Sequence, residues 1–285
     1  MANIYKSAAG ERAIKDRYVQ FLKHWPVENQ HLRISTREGE TFVIASGPES
    51  APPLVLLHGT AFNSTMWMGD IAAWSSAFRV YAVDIIGDAG LSAPSRPSYT
   101  SEAHALWLDD VLAGLGIEQA SFVGISLGGS LALDYAIRRS NRVKGLVLIA
   151  PGGLASKNVL IWALPLLLLG RWGRRQIAKR ISGKAPERLS PPEKAVADFF
   201  EIVFRNMRPR RKGLPNFSDS SLKGITMPTM VVLGGKDVFV DSQRAKARLE
   251  KAVPSASIFL LPDAHHSIVG QTQPILSFLR MIYEG

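Results

Sequence analysis

The stretch Phe122-Val123-Gly124-Ile125-Ser126-Leu127-Gly128-Gly129 decides how this 285-residue chain is read. A short apolar run ends at Ile125, a helical pattern from Leu127 to Arg139 starts directly after it, and a serine stands at the junction with glycines two residues to either side. A bare G-x-S-x-G recurs by chance. With a strand before it and a helix after it, the pattern is that of a strained turn that pushes a serine Oγ out beyond the sheet edge. The glycines answer a steric need, because a Cβ at either position would collide with neighbouring backbone. Ser126 is therefore the candidate nucleophile.

Short apolar runs, each closed by Gly, Asp, Ser or Pro, flank this stretch on both sides: Leu54 to Leu57, Val80 to Val83, Phe122 to Ile125, Leu146 to Ile149, Met230 to Leu233 and Ile258 to Leu261. Continuous apolar runs of this length read as parallel strands buried on both faces. Helical patterns alternate with them at Met66 to Ser76, Ser101 to Leu115, Leu127 to Arg139, Ser242 to Ala252 and Gln273 to Tyr283. The class is α/β with an open, mostly parallel sheet. Ahead of it, Leu32 to Ser35 and Thr41 to Ser46 read as a hairpin around Arg37-Glu38-Gly39-Glu40, and Ile14, Tyr18, Phe21 and Leu22 mark an amphipathic helix at about 5–25. One interval breaks the rhythm, between Ala150 and Thr229. The core is thus expected at 1–150 and 223–285, with 151–222 an inserted basic helical cap whose seven prolines should chop it into short helices and turns.

Charge follows the same division. The chain carries 34 Lys and Arg against 24 Asp and Glu, a net +10, but Pro151 to Leu222 alone holds fourteen basic and five acidic residues, a net +9, leaving +1 elsewhere. A footprint for nucleic acid over the whole chain is not expected. The absence of cysteine removes disulfides, thiol nucleophiles and thiolate metal sites. Charges spread through Met1 to Gln20 leave no secretory apolar run, so a cytoplasmic location is expected. The longest greasy run, Val159 to Leu169, is too short to cross a bilayer and contains Pro165.

A serine hydroxyl needs a base to take its proton and an acid to hold that base in one tautomer. The run Thr229 to Leu233 leads into Gly234-Gly235-Lys236-Asp237, which makes Asp237 the candidate acid, with Asp241 expected to cap the next helix. The last strand leads into Pro262-Asp263-Ala264-His265-His266-Ser267, and spacing alone leaves both histidines open as the base. His24 and His31 belong to the N-terminal region and His104 to a helix, while His58 is read as a structural hydrogen-bonder. The first buried strand ends in Leu57-His58-Gly59-Thr60, so the backbone N–H groups of Thr60 and Leu127 are the candidate donors to a developing oxyanion.

In this order and spacing, Leu56-Leu57-His58-Gly59, the Ser126 turn, Gly234-Gly235-Lys236-Asp237 and the histidine pair resemble the α/β-hydrolase superfamily over essentially the whole chain. The stretches Val43-Ile44-Ala45-Ser46-Gly47-Pro48-Glu49, Ala51-Pro52-Pro53-Leu54-Val55-Leu56-Leu57-His58-Gly59 and Tyr81-Ala82-Val83-Asp84-Ile85-Ile86-Gly87-Asp88 resemble more narrowly the carboxylesterase NP (naproxen esterase) group of bacilli. That resemblance implies a helical cap over a parallel sheet and a Ser-His-Asp triad forming an acyl-enzyme. It implies no cofactor or metal, and a small-molecule ester as partner. Laying the superfamily's Asn/Gly-Ala-Gly-His on Asp263-Ala264-His265-His266 implies His266 as the base, with His265 where glycine is usual. It also implies that Asp84 belongs to a structural turn.

Serine at the turn argues against dehalogenase or epoxide hydrolase chemistry, which uses aspartate. Thioester, lactone or carbon–carbon bond hydrolysis, perhydrolysis and a triad-retaining small-molecule receptor are the rival readings. In the insertion, Arg171, Arg174, Arg175, Lys179 and Arg180, then Arg205, Arg208, Arg210, Arg211 and Lys212, form two basic clusters beside apolar patches. Such clusters ordinarily make a solvated face, although a basic apolar lid also suits weak contact with anionic lipid or an anionic acyl group. Trp162 and the leucines around it are read as lining or covering an acyl pocket. Oligomeric state is not legible.

Overall fold

A computed structural model describes residues 4–210 and 213–284 and, among these, all side chains but those of residues 160–162, 171 and 186. Strands β1 (Asn29–Thr36) and β2 (Gly39–Ser46) form an antiparallel hairpin whose tight return uses Gly39 at φ 102°. Strands β3 (Pro53–Leu57), β4 (Arg79–Val83), β5 (Ala120–Ile125), β6 (Val143–Ile149), β7 (Thr229–Gly234) and β8 (Ser257–Leu261) pair in parallel. The sheet order is β1-β2-β4-β3-β5-β6-β7-β8, with β2 alone running against the rest.

The sheet separates two apolar layers, and alternate residues of one strand serve opposite faces. Val55 and Leu57 join one layer, covered by α3 (Ala103–Gly114), α4 (Leu127–Arg138) and α9 (Ser242–Ala252). Leu54 and Leu56 join the other, covered by α1 (Ala8–Leu22), α2 (Ile71–Trp74) and α10 (Thr272–Glu284). Ser7 caps α1 by accepting the Gly10 N–H at 3.0 Å.

Three expectations need correction. The helix expected over Met66 to Ser76 is a 3-10 turn at Ser64–Trp67 followed by the four-residue α2, with Gly69 and Asp70 interrupting the two. The last strand, β8, is not buried on both faces, because it is the sheet edge and alternates exposed with half-buried positions. Between β6 and β7 lie α5 (Leu160–Leu168), α6 (Gly170–Ser182), α7 (Pro191–Asn206) and the single turn α8 (Asp219–Leu222). The prolines chop this segment only in part: Pro186 opens a 3-10 turn and Pro209 and Pro215 lie outside helices, but Pro165 sits inside α5, and Pro191 and Pro192 open the sixteen-residue α7, where a missing N–H removes no intrahelical bond. Of the basic clusters, Arg211, Lys212 and the Arg171 side chain lie outside what is described, as does the Trp162 side chain. Of the leucines after Trp162, Leu164, Leu167, Leu168 and Leu169 are exposed, Leu168 at 82%, and Leu166 is half-buried. No described helix is long and apolar enough to cross a membrane.

His104, in the first turn of α3, stacks on Tyr99 with ring centroids 5.1 Å apart. Both its ring nitrogens are buried without a hydrogen-bond partner. Burial, seconded by the Arg210 charge, pushes the imidazole down from 6.5 to about 4. Between those pH values the unfolded chain binds a proton that the folded chain refuses, so stability falls as pH drops through this window. His104→Phe keeps the stacked ring and is expected to remove a pH-dependent loss of about 3 kcal/mol. Denaturant titrations at stepped pH check it: the variant's stability should vary less than the parent's from pH 6.5 to 4.

Candidate active site

Strand β5 hands over to α4 at Ser126, which holds φ 52° and ψ −109°, a left-handed conformation that non-glycine residues avoid. The close packing around it explains both glycines. A Cβ on Gly124 would lie 2.4 Å from the Gly128 carbonyl oxygen, and one on Gly128 would lie 2.0 Å from that of Leu57. The Gly128 N–H donates to His58 O at 3.1 Å and the Ser126 N–H to Ile149 O at 2.9 Å, so the turn is tied to the ends of β3 and β6 together.

His266 meets this serine, with Nε2 2.9 Å from Ser126 Oγ and Nδ1 2.8 Å from Asp237 Oδ2. A carboxylate only accepts, so Nδ1 carries the proton and Nε2 is left to accept from the serine hydroxyl. Asp237 follows β7 and is 2% exposed. Its Oδ1 accepts the N–H groups of Phe239 and Val240 at 2.7 and 3.0 Å, which fixes the carboxylate and leaves Oδ2 for the imidazole. The Phe239 ring stands edge-on to the imidazole at 4.6 Å. Asp241 instead caps α9 through the Arg244 N–H. His265 points away from Ser126 and donates from Nδ1 to the Arg180 carbonyl at the end of α6, 2.9 Å away.

The loop after β3 passes beside Ser126, for a Cβ on Gly59 would come within 3.7 Å of the serine Cβ. The amides around Thr60 are engaged, Gly59 N–H with Met66 Sδ and Ala61 N–H with Asp88 Oδ1. So are those around Leu127, at Ser126 and Gly128. The N–H groups of Thr60 and Leu127 themselves have no partner among the described residues; Leu127 directly follows the serine, and Thr60 follows Gly59, which lies beside it. His58 is saturated, donating from Nδ1 to Gly59 O and accepting the Ile85 N–H at Nε2, 2.9 Å away. Asp84 is a structural anchor that accepts from Tyr18 Oη, from the Ser64 N–H and hydroxyl, and from the Leu91 N–H.

Three contributors escaped the sequence reading. Asp88, its carboxyl pushed up by burial, holds Ala61 at φ 60° and so holds the strained loop that presents Thr60. Phe62, in the same loop, packs edge-on against Phe199 at 5.5 Å and stacks on Phe200 at 5.1 Å, both on α7. Lys157 donates to the Asp237 carbonyl at 2.7 Å. Asp88 had a signal, as a second acid just past a buried strand; Phe62 and Lys157 had none. Among the described residues no group of three or more His, Asp and Glu is placed to hold a metal ion.

The sequence profile of the alpha/beta hydrolase family matches residues 54–276. Carboxylesterase YbfK of Bacillus subtilis (strain 168) is 37% identical over 273 residues, covering 92% of each chain. The uncharacterized carboxylesterase nap of the same strain is 35% identical over 273 residues, covering 90% of this chain and 87% of that one. The crystal structure of naproxen esterase (carboxylesterase NP) from Bacillus subtilis superposes with a TM-score of 0.82 at 33% identity, covering 98% of this chain and 99% of that one.

The tightest point of this geometry is open to test. Gly128→Ala would press a Cβ into two main-chain carbonyls, neither of which can swing aside as a side chain can. It is expected to cost about 3 kcal/mol or to prevent folding. Thermal unfolding is the check, and a parental midpoint would show that the turn is not built this way.

Proposed function

The chain belongs to the alpha/beta hydrolase family, and from that premise we propose that it is a carboxylesterase-type serine hydrolase acting through Ser126, His266 and Asp237. The observation that carries this reading is the unbroken line from Ser126 Oγ through the imidazole to the buried carboxylate, at 2.9 and 2.8 Å. Ser126 Oγ bonds to the ester carbonyl carbon while His266 Nε2 takes its proton. The carbonyl electron pair moves onto oxygen, and the amides of Thr60 and Leu127 hold that charge. His266 then returns the proton to the departing alcohol as the ester C–O bond breaks. Water attacks the acyl group, losing a proton to the same nitrogen, and Ser126 recovers it as the acid leaves. The Asp237 carboxylate orients the ring and stabilises the imidazolium.

Residues 151–222 act as the cap in this reading. They are held to the loop after β3 and to the loop that carries His266. Phe199 and Phe200 of α7 grip Phe62 in the oxyanion loop, while the carbonyls of Arg180 and Ile181 at the end of α6 accept from His265 Nδ1 and the Ser267 N–H.

Hydrolysis of p-nitrophenyl butyrate by single variants tests the assignment. Ser126→Ala and His266→Ala are expected to lose about 10⁴-fold or more in kcat, and Asp237→Asn about 10⁴-fold. His265→Ala should stay within about tenfold, since the ring faces the cap. Loss with His265→Ala and retention with His266→Ala would reverse the roles. Phe62→Ala, which frees the loop carrying Thr60, is expected to lower kcat by about 10²-fold with KM nearly constant, as for the loss of one oxyanion donor.

A further inference from the structure

Exposed apolar side chains are gathered in one region of this molecule. Of twelve large hydrophobic side chains exposed among the described residues, eight lie between Leu164 and Phe204. Five of these, Leu164, Leu167, Leu168, Leu169 and Trp172, run from α5 into the first turn of α6. Leu164, Leu167 and Leu168 stand at i, i+3 and i+4, on one side of α5. The two helices turn at Gly170, φ 59°, and lie so close that a Cβ on Gly173 would fall 1.6 Å from the Leu166 carbonyl oxygen. The exposed leucines and Trp172, 57% exposed, therefore sit on two adjoining helices as an apolar surface of the kind that meets a partner rather than water.

The surrounding charge selects the partner. Helix α5 contains no charged residue, and α6 contains five basic residues and no acidic one. Trp172, Arg175 and Lys179 follow one another at i, i+3 and i+7 on the exposed side of α6. Arg175 and Lys179 have no ion-pair partner among the described residues, whereas Arg174 reaches Glu201 at 3.7 Å. A second copy would set the same net +9 of residues 151–222 against itself. Nucleic acid would meet the basic side chains and leave the leucines in water. An anionic bilayer satisfies both features, taking the apolar side chains into the boundary below the head groups and the basic ones against phosphate.

We propose that the α5–α6 turn docks this protein on an anionic lipid surface, with Leu168 and Trp172 inserted and Arg175 and Lys179 against the head groups. The docking does not depend on the assignment of the triad. It is measured by flotation of the full chain with phosphatidylcholine vesicles and with equimolar phosphatidylcholine–phosphatidylglycerol vesicles, at 0.1 and 0.5 M NaCl. Binding to the anionic vesicles at low salt is expected, weaker by about tenfold or more on neutral vesicles or at high salt. The double variant Arg175→Glu, Lys179→Glu should weaken it by about 25-fold or more. Leu168→Glu with Trp172→Glu should weaken it as much while leaving hydrolysis of p-nitrophenyl acetate without vesicles unchanged, which also shows that the variants fold. Absent binding, binding indifferent to lipid charge, parental binding by either double variant, or a dimer that Leu168→Glu with Trp172→Glu dissolves would each overturn the proposal.

Discussion

The start of α4 lies so near the end of β3 that only a hydrogen fits on the Gly128 α-carbon. From that approach the rest of the site follows. It leaves Ser126 in a left-handed conformation, a strain of about 1–3 kcal/mol that the Ile149 and His58 hydrogen bonds and the buried face of α4 offset. It directs the serine hydroxyl away from the sheet, leaves the Leu127 amide unspent, and brings the Thr60 loop alongside. Widening it would displace the Ser126 hydroxyl and the amides of Thr60 and Leu127 together.

Three buried aspartates after two strands show how place divides labour among identical side chains. Asp84, after β4, gathers α1, the 3-10 turn and the loop at Leu91. Asp88, four residues on, accepts the amides of Ala61 and Ala89 and so shapes the loop that carries Thr60. Asp237, after β7, spends one oxygen on two amides and offers the other to an imidazole. Their environments are alike in burial and hydrogen bonding. What sets Asp237 apart is that its strand ends beside the loop carrying His266.

The central strands were legible because a parallel strand covered on both faces must be apolar at every position, and Leu54 to Leu57 and Phe122 to Ile125 are. The serine turn was legible for the same local reason, since its glycines are demanded by backbone within a few residues. Spacing could not choose within the histidine pair, and only the family resemblance pointed to His266, because the direction of each ring is decided by a contact far along the chain, His265 with Arg180 and His266 with Ser126. Phe62 and Asp88 escaped for a similar reason: Phe62 meets Phe199 and Phe200 across well over a hundred residues, and Asp88 matters through the amide of Ala61. The helix read over Met66 to Ser76 failed because its apolar spacing did not register the break at Gly69 and Asp70.

In the proposed reaction one serine oxygen, one imidazole and two unspent amides converge on a single carbonyl. The crystal structure of the enzyme after reaction with a fluorophosphonate tests it most directly. A bond from Ser126 Oγ to phosphorus is expected, with the phosphoryl oxygen at about 2.7–3.1 Å from the amide nitrogens of Thr60 and Leu127. Phosphorus on another residue, or a phosphoryl oxygen turned to solvent with both amides still unpaired, would contradict it.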